Sequence, residues 1–595
     1  MFEPRKAAQQ FLCGPKSLSY GELEDGIAQV AAYLIARGLA GQRILFAVAD
    51  DHNLAPLLLG CLRAGALPLL IDPGMAPRQV SDIVALNAVD GVIADAALLA
   101  RWSETGMALP ARQVRVSAAA PKGLLLGKLL GRRASAEPDS WPGLLSAPKG
   151  PPLPPPRQHG SAYVVFTSGS TARPKGVEMG WPALNSHLDT IARHYDLQAD
   201  ARLLNLMPLS HGDGLVQGLL LAYRCGITLV RPAPFSIVAI ESILIAIYRE
   251  RVSHLVAAPT ALALLQQYGG HLADNFANEH FRFAISCSAP LSEAVWRAFS
   301  ERFKVKLINT YGLSETGACG LYAGPDAASH KIGSVGMPRD MLARILRADG
   351  SEAGPDEAGQ LCLQGANLMT GYLDDPDATA RALIDGWLHT GDQARCDGDG
   401  VYWIVGRIKE LIICGGYNVS PEAINGVLML HPAVQEAATL GLPDALWGEI
   451  PVAFVVLRPG QQADAASLLA HCALHLGAHE LPKKIRLLAA LPRTPSGKVI
   501  VAQLQQELGQ EGAATSAAGD LHAQIFELAA GLFHLAPGHL RLDSGPANTA
   551  GWDSLAHINF VIALESLFSI RLSPSDVVHM DSMDATIDLV KRRLA

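Results

Sequence analysis

The sequence predicts a multidomain α/β protein that ends in an all-α unit, and three observations carry that reading. At 595 residues the chain exceeds what one hydrophobic core organises, so several domains are expected. Residues 18–120 and 225–290 alternate amphipathic helical patterns with short apolar strands, the rhythm of helices layered on sheets. Past residue 508 that rhythm stops, and a small, polar stretch over 509–519 leads into segments of purely helical pattern.

Taken in order, the first α/β stretch contains strands at Arg43–Val48 and Leu67–Ile71. Between 121 and 158 the pattern fails. Lys122, Lys128, Arg132 and Arg133 precede the proline run Pro151–Pro156, which reads as a surface excursion, with a basic patch touching a membrane as the alternative. An apolar run, Tyr163–Thr167, then enters seven residues rich in Ser, Thr and Gly. Leu203–Met207 leads through a glycine-rich turn into an apolar helix over Leu215–Tyr223. Ile227–Val230, His254–Ala257 and Phe283–Ser286 read as strands, and Ser236–Arg251 as a helix. Strands and helices continue to about residue 508. In the tail, Asp520–His534 places Leu521, Ile525, Leu528 and Leu532 on one helical face, residues 535–550 read as loop, and a second helix spans Leu555–Phe568.

Composition narrows the function. A net charge of −8 gives no electrostatic footprint for nucleic acid, and no long block of like charges appears. The nine cysteines lack a C-x-x-C pair or regular spacing, which points to reduced thiols in a cytoplasm rather than to disulfides or zinc. The N-terminal residues lack a secretory apolar core, and Arg63 with nearby Gly and Pro breaks the apolar run from Leu54 to Ile71. A soluble cytoplasmic protein is expected, with neither a membrane nor a nucleic acid as partner.

The chemistry starts at Thr167, Ser168, Gly169, Ser170 and Thr171, followed by Lys175. Backbone N–H groups freed by glycine, hydroxyl donors and an ammonium suit a phosphate, although the same composition also suits a flexible turn. Pro174 and Gly176 flank the lysine, so the loop is not the G-x-x-x-x-G-K-[ST] cradle, and a kinase-like or motor-like reading loses weight.

The segment Thr167–Gly176, with Asn309–Thr316, Gly386–Asp392, Gly406–Val419 and Leu491–Val499, resembles the adenylate-forming enzymes: acyl-CoA synthetases, peptide-synthetase adenylation domains and luciferases. The resemblance implies a large domain over 1–406, of layered α/β subdomains plus a small β-barrel, and a small mobile α+β subdomain over 407–508. It implies ATP and Mg2+. Tyr311, beside Gly312, would stack on adenine, and Ser288, Ala289 and Pro290 would border the adenine and acyl pockets. Thr316 would lie near the α-phosphate and Glu315 would hold magnesium, a hard cation that wants carboxylate oxygen. Read in isolation, Glu315 is an ordinary surface acid. Asp392 would hold the ribose diol, Arg407 the ribose or phosphate, and Lys409 the pivot of the small domain. Gly415, Gly416 and Tyr417 would line a pantetheine channel, and Lys498 would touch the substrate carboxylate and α-phosphate together. His211 corresponds to a pocket gate, with a solvated loop histidine equally open. Amino-acid activators carry an Asp where this chain has Gly212, which favours an acid lacking an α-amine, although Asp213 stands one position away.

In the tail, Gly551-Trp-Asp-Ser-Leu555 resembles an acyl or peptidyl carrier. That implies a four-helix domain over 520–595 whose Ser554 receives 4′-phosphopantetheine from a phosphopantetheinyl transferase. As an alternative, Asp553 and Ser554 simply cap a helix. Nine Asp and Glu against five Lys and Arg in 520–595 suit a basic downstream carrier-dependent biosynthetic enzyme. The expected function is activation of a fatty or aryl acid as acyl-adenylate and its transfer to the chain's own carrier thiol, in natural-product or lipid biosynthesis. Its alternatives are an amino-acid adenylation and carrier didomain of a nonribosomal peptide synthetase, an acyl-CoA ligase, and a silent interaction scaffold.

Overall fold

A computed structural model describes residues 7–116, 160–167, 174–407, 412–444, 447–458, 460–492 and 504, with most of 521–594. The excursion expected over 121–158 and the linker over 509–519 lie outside the described residues.

Two large sheets dominate. One has seven strands, in the spatial order Gly371–Tyr372, Lys175–Gly180, Ser161–Thr167, Leu67–Leu70, Arg43–Ala47, Gly91–Asp95 and Arg112–Val116. Its last five strands run parallel, while Lys175–Gly180 pairs antiparallel with Ser161–Thr167. The second sheet has nine strands and is parallel from Leu307–Tyr311 through Phe283–Ser286, His254–Ala257, Arg202–Asn205 and Thr228–Val230 to Gln10–Cys13. One hydrophobic core joins the two sheets through the helices Tyr20–Ala36, Asp51–Arg63 and Trp181–His194. Every residue from Asn53 to Leu62 is buried, which is why that helix is apolar on nearly all sides.

The expected strands at Arg43, Leu67, His254 and Phe283 are present within a residue or two of their bounds. The helix expected over Ser236–Arg251 runs only from Ile240 to Arg249. The helix expected from Leu215 begins instead at Gly212 and passes through a π-helical turn over Leu215–Leu220 before Leu221–Cys225. Such wide turns concentrate at functional sites.

Where a small barrel was expected, Met341–Leu346, Gly359–Gly365, Trp387–Cys396, Leu383–Ile384 and Tyr402–Arg407 form a five-stranded antiparallel sheet, and no pairing among the described residues closes it. Another five-stranded sheet, built on the long hairpin Val434–Asp444 and Gly448–Leu457, carries Ile412–Cys414 and Tyr417–Val419 at one edge. The C-terminal segment contributes helices Leu521–Phe533, Ser554–Phe568 and Met583–Leu594, the last lying within the span where four helices were expected but without a position predicted for it. Phe533, Trp552 and Phe560 pack as a buried aromatic cluster beneath them.

No helix among the described residues is long and apolar enough to cross a membrane.

Candidate active site

The carboxyl ends of the parallel strands open onto one cleft, the place where open α/β sheets bind ligands. A cavity of about 990 Å3 lies there, lined from the large domain by Asp213, Ser288 and Tyr311 and from the small domain by Gly416, Tyr417 and His479.

At one end, Leu307–Tyr311 delivers Tyr311, whose hydroxyl donates to Asp392 Oδ2 at 2.6 Å. Asp392 is 2% exposed and its backbone N–H donates to Thr390 Oγ1. Arg407 is its cross-strand partner in register, so both expected ribose-binding positions sit side by side on one sheet. Gly312 follows Tyr311 because a Cβ there would come within 1.9 Å of the Ala318 carbonyl oxygen.

The next turn, Ser314–Thr316, presents Glu315 away from the cavity wall, where the Tyr372 hydroxyl donates to its Oε1 at 2.7 Å. Burial and the Glu315 charge push the Tyr372 phenol well above its ordinary value, so it stays a donor. Lys175 Nζ lies 5.2 Å from the centre of the Tyr372 ring. Lys175, Tyr372 and Glu315 thus form an ordered strip. Among the described residues no group of three or more His, Cys, Asp or Glu gathers as a metal cage. A lone carboxylate suits Mg2+, which commonly takes one or two carboxylates and completes its shell with phosphate oxygens and water.

Thr316 is bonded within the same turn. Its hydroxyl donates to the Leu313 carbonyl at 3.0 Å and accepts the Leu313 N–H at 2.9 Å, so it closes its own turn and is fully buried off the cavity wall. His187 braces the same turn: it accepts the Cys319 N–H at 3.3 Å and meets Asn367, and burial lowers its pKa to about 4.

The other end is built differently. Ser288 sits at φ +70°, a left-handed conformation costly for a residue with a Cβ, and its hydroxyl donates to Asp213 Oδ2. Gln217 Nε2 donates to Asp213 Oδ1 at 2.7 Å, and Tyr195 Oη donates to Gln217 Oε1 at 2.7 Å. Asn205 Nδ2 reaches the Asp213 carbonyl at 3.3 Å, and Arg231 donates to the carbonyls of Asn205 and Met207. His211 accepts the Asp213 N–H at Nδ1, 3.4 Å away, and its ring meets Tyr417 edge-on at 6.2 Å. His211 is thus a partly exposed helix cap whose ring faces the small domain.

Between the two ends the small domain enters. Gly416, at φ +89°, comes so close that a Cβ would lie 3.6 Å from Ser288 Cβ and 3.9 Å from Ala258 Cβ. Tyr417 stacks on His479 at 4.4 Å; burial raises the Tyr417 phenol to about 12 and lowers the His479 imidazole. Gln79 Nε2 donates to Glu480 at 2.7 Å across the same seam.

The expected site residues thus converge, with exceptions. Ser168, Gly169, Ser170, Thr171, Lys409 and Lys498 lie outside the described residues, and Thr167, Arg407 and Ser554 are described for backbone alone. Ser554 is the first residue of its helix. Ala289 and Pro290 line the cavity beside Ser288. The residues that sequence reasoning missed are Tyr372, Gln217, Tyr195, Asn205, Arg231, His187 and His479. Tyr372, Tyr195, Arg231 and His187 act through contacts distant in sequence, whereas Gln217 and Asn205 reach Asp213 from four and eight positions away, and Gln217 carried a signal as a polar residue inside an apolar helix.

The AMP-binding enzyme family model matches residues 3–373, and the model of its C-terminal domain matches 423–498. Neither match extends past residue 498. The chain is 34% identical over 503 residues to a sulfoacetate–CoA ligase of Cupriavidus necator, covering 82% of this chain and 93% of that protein. It is 30% identical over 504 residues to a feruloyl-CoA synthase of an Amycolatopsis species, covering 83% and 95%. Among solved structures, an amide bond synthetase from Marinactinospora thermotolerans superposes with a TM-score of 0.73 at 27% identity, covering 84% of this chain and 97% of that one. A malonyl-CoA ligase with methylmalonyl-CoA and AMP bound gives 0.66 at 27%, covering 82% and 97%. By fold, by the residues gathered in its cleft and by these matches, the chain belongs to the AMP-binding enzymes and is an adenylate-forming ligase.

Proposed function

We propose that the chain joins a carboxylic acid to the thiol of coenzyme A, at the expense of ATP, through an acyl-adenylate. The observation that carries this reading is the single cavity in which Tyr311 and Asp392, Asp213 and Ser288, and Gly416 and Tyr417 all share a wall. A site that only made the mixed anhydride would not need the third group. In the first half-reaction the acid's carboxylate attacks the α-phosphorus of ATP and pyrophosphate leaves. Glu315 would hold the Mg2+ that neutralises the phosphates, and Lys498 would spread the charge that builds on the attacked group. In the second, the small domain turns about Lys409, Gly415–Tyr417 forms the channel wall, and the thiol displaces AMP from the acyl carbon. The domain bounds proposed for this motion are 1–406 and 407–508. CoA ligases recur among the relatives, which favours coenzyme A as the acceptor.

A second reading keeps the same chemistry but gives the acyl group to phosphopantetheine on Ser554. Its support is the helix that starts at Ser554 behind buried Trp552, a phosphate-friendly N-terminus in an acidic helical unit. One experiment separates them. The purified full-length chain, with and without prior treatment by a phosphopantetheinyl transferase and CoA, is incubated with ATP, Mg2+ and a pool of acids. Acyl-CoA in solution from the untreated chain supports the first reading. An intact-mass gain on Ser554 followed by acylation there supports the second. Release of neither pyrophosphate nor any thioester sinks both.

A further inference from the structure

The acyl end of the cavity contains a buried acceptor and, among the described lining residues, no Lys or Arg. Asp213 is 6% exposed, stands in the glycine-rich turn that starts the helix running on through Leu221–Cys225, and is fixed by two donors, Ser288 and Gln217. A carboxylate offers about four acceptor positions, so two remain for a ligand. Neither fixing contact is accidental. Ser288 adopts a left-handed backbone that a glycine would take freely, and what its side chain gains in exchange is the bond to Asp213. Gln217 is fully buried and held from behind by Tyr195, so its amide nitrogen is kept facing Asp213. The remaining acidic side chains on the wall, Asp72 and Glu480 among them, add negative potential, and His211 turns its Nδ1 to Asp213, accepting the Asp213 N–H and lying 3.7 Å from its carboxylate.

We infer that Asp213 reads the distal end of the acid, and that the substrate class is a monocarboxylic acid bearing a hydrogen-bond donor or a cationic group such as hydroxyl or amine away from its reacting carboxylate. A second anion at that end would face a buried carboxylate with no described cation to pair with, and a purely apolar end would leave Asp213 desolvated and half-satisfied. This rests on the ligase reading and adds the substrate's chemistry to it.

The test is acid-dependent exchange of labelled pyrophosphate into ATP by the full-length chain, over matched sets. One set is hexanoate, its terminal hydroxy and amino derivatives, and adipate; the other is benzoate, its hydroxy and amino derivatives, and the phthalates; sulfoacetate is added as a compact dianion. In whichever skeleton is accepted, the donor-bearing acid is expected to exceed the unsubstituted one in kcat/KM by roughly tenfold or more, and the dianion to fall below both. Asp213→Asn keeps the shape and lowers the advantage of the amine, and Asp213→Leu removes the preference for any donor; ATP affinity and melting temperature verify that both variants fold. A dianionic or unsubstituted acid as the best substrate, or a ranking unchanged in both variants, overturns the inference while leaving the ligase intact. Exchange with no acid at all, despite normal ATP binding, removes the ligase reading and this inference with it.

Discussion

The two ends of the cleft solve different problems with different kinds of structure. At the end proposed for the nucleotide, Tyr311, Glu315 and Asp392 stand on strands or tight turns, with Tyr311 bonded to Asp392 and Tyr372 to Glu315. At the acyl end, Asp213 hangs from a chain of side chains, Tyr195 to Gln217 to Asp213 from Ser288, with Asn205 and Arg231 bracing the backbone below. An end that always meets the same nucleotide can be specified locally. The end proposed to distinguish one acid from another is held by the protein's core, where substitution changes several contacts together.

The largest expected effect divides the reaction rather than the cleft. Lys498→Ala is expected to lower acid-dependent pyrophosphate release by roughly 10²- to 10³-fold, as loss of one charge-stabilising group does, while a chemically supplied acyl-adenylate still acylates the thiol. Stopped-flow measurement of the two half-reactions checks this, and equal loss in both would deny Lys498 its assigned step. Gly416→Leu is the converse. Its side chain must enter the space against Ser288 and Ala258 at a strained φ, so thioester formation is expected to drop about 10²-fold with exchange nearly intact. If exchange falls in parallel, the loop at Gly415–Tyr417 belongs to adenylation instead.

A smaller effect probes the nucleotide end alone. Tyr372→Phe removes the 2.7 Å donor to Glu315 and is expected to raise the Mg2+ concentration needed for half-maximal rate by about tenfold at most, with the KM for the acid unmoved. A change in acid KM without a change in Mg2+ requirement would place Tyr372 in the acyl pocket.

The same contrast explains what could be read from the sequence. Tyr311 and Asp392 lie in short runs whose residue types suit a nucleotide whatever surrounds them, and the structure brings them together. Parallel strands such as Leu67–Leu70, Thr228–Val230 and His254–Ala257 were legible because they are mainly apolar, as buried strands are. The acyl-end chain was not, because Ser288 and Asp213 are 75 positions apart and nothing in either neighbourhood announces the bond. Thr316 shows another contact that residue types do not announce: its hydroxyl, two residues into a tight turn, bonds the turn's own backbone. The barrel was expected by resemblance, and the strand pattern alone gave no closure to test. The helical start at Gly212 was missed because glycines read as turn, and His211 supplies the cap that lets the helix begin there.

Each end also buries a histidine, and these give the smallest expected effect, on stability. His187 lies under the nucleotide-end turn, and His254 lies behind the acyl-end network, bonded to Ser253 and the Tyr195 carbonyl. Burial lowers both from 6.5 to about 4. Between those values the unfolded chain binds the protons that the folded chain refuses, so stability is complete above pH 6.5 and declines as pH falls through 4, by about 3 kcal/mol per histidine at the limit. Melting temperature measured from pH 7 to 4 should therefore fall before most carboxylates titrate. His187→Gln and His254→Gln, which keep hydrogen-bonding capacity but cannot ionise, should each flatten that fall. If loss of acid binding precedes loss of ATP binding on acidification, His254 and the network it backs yield first, and the acyl end is the weaker of the two; the reverse order would make the nucleotide end, for all its local construction, the one that depends on its surroundings.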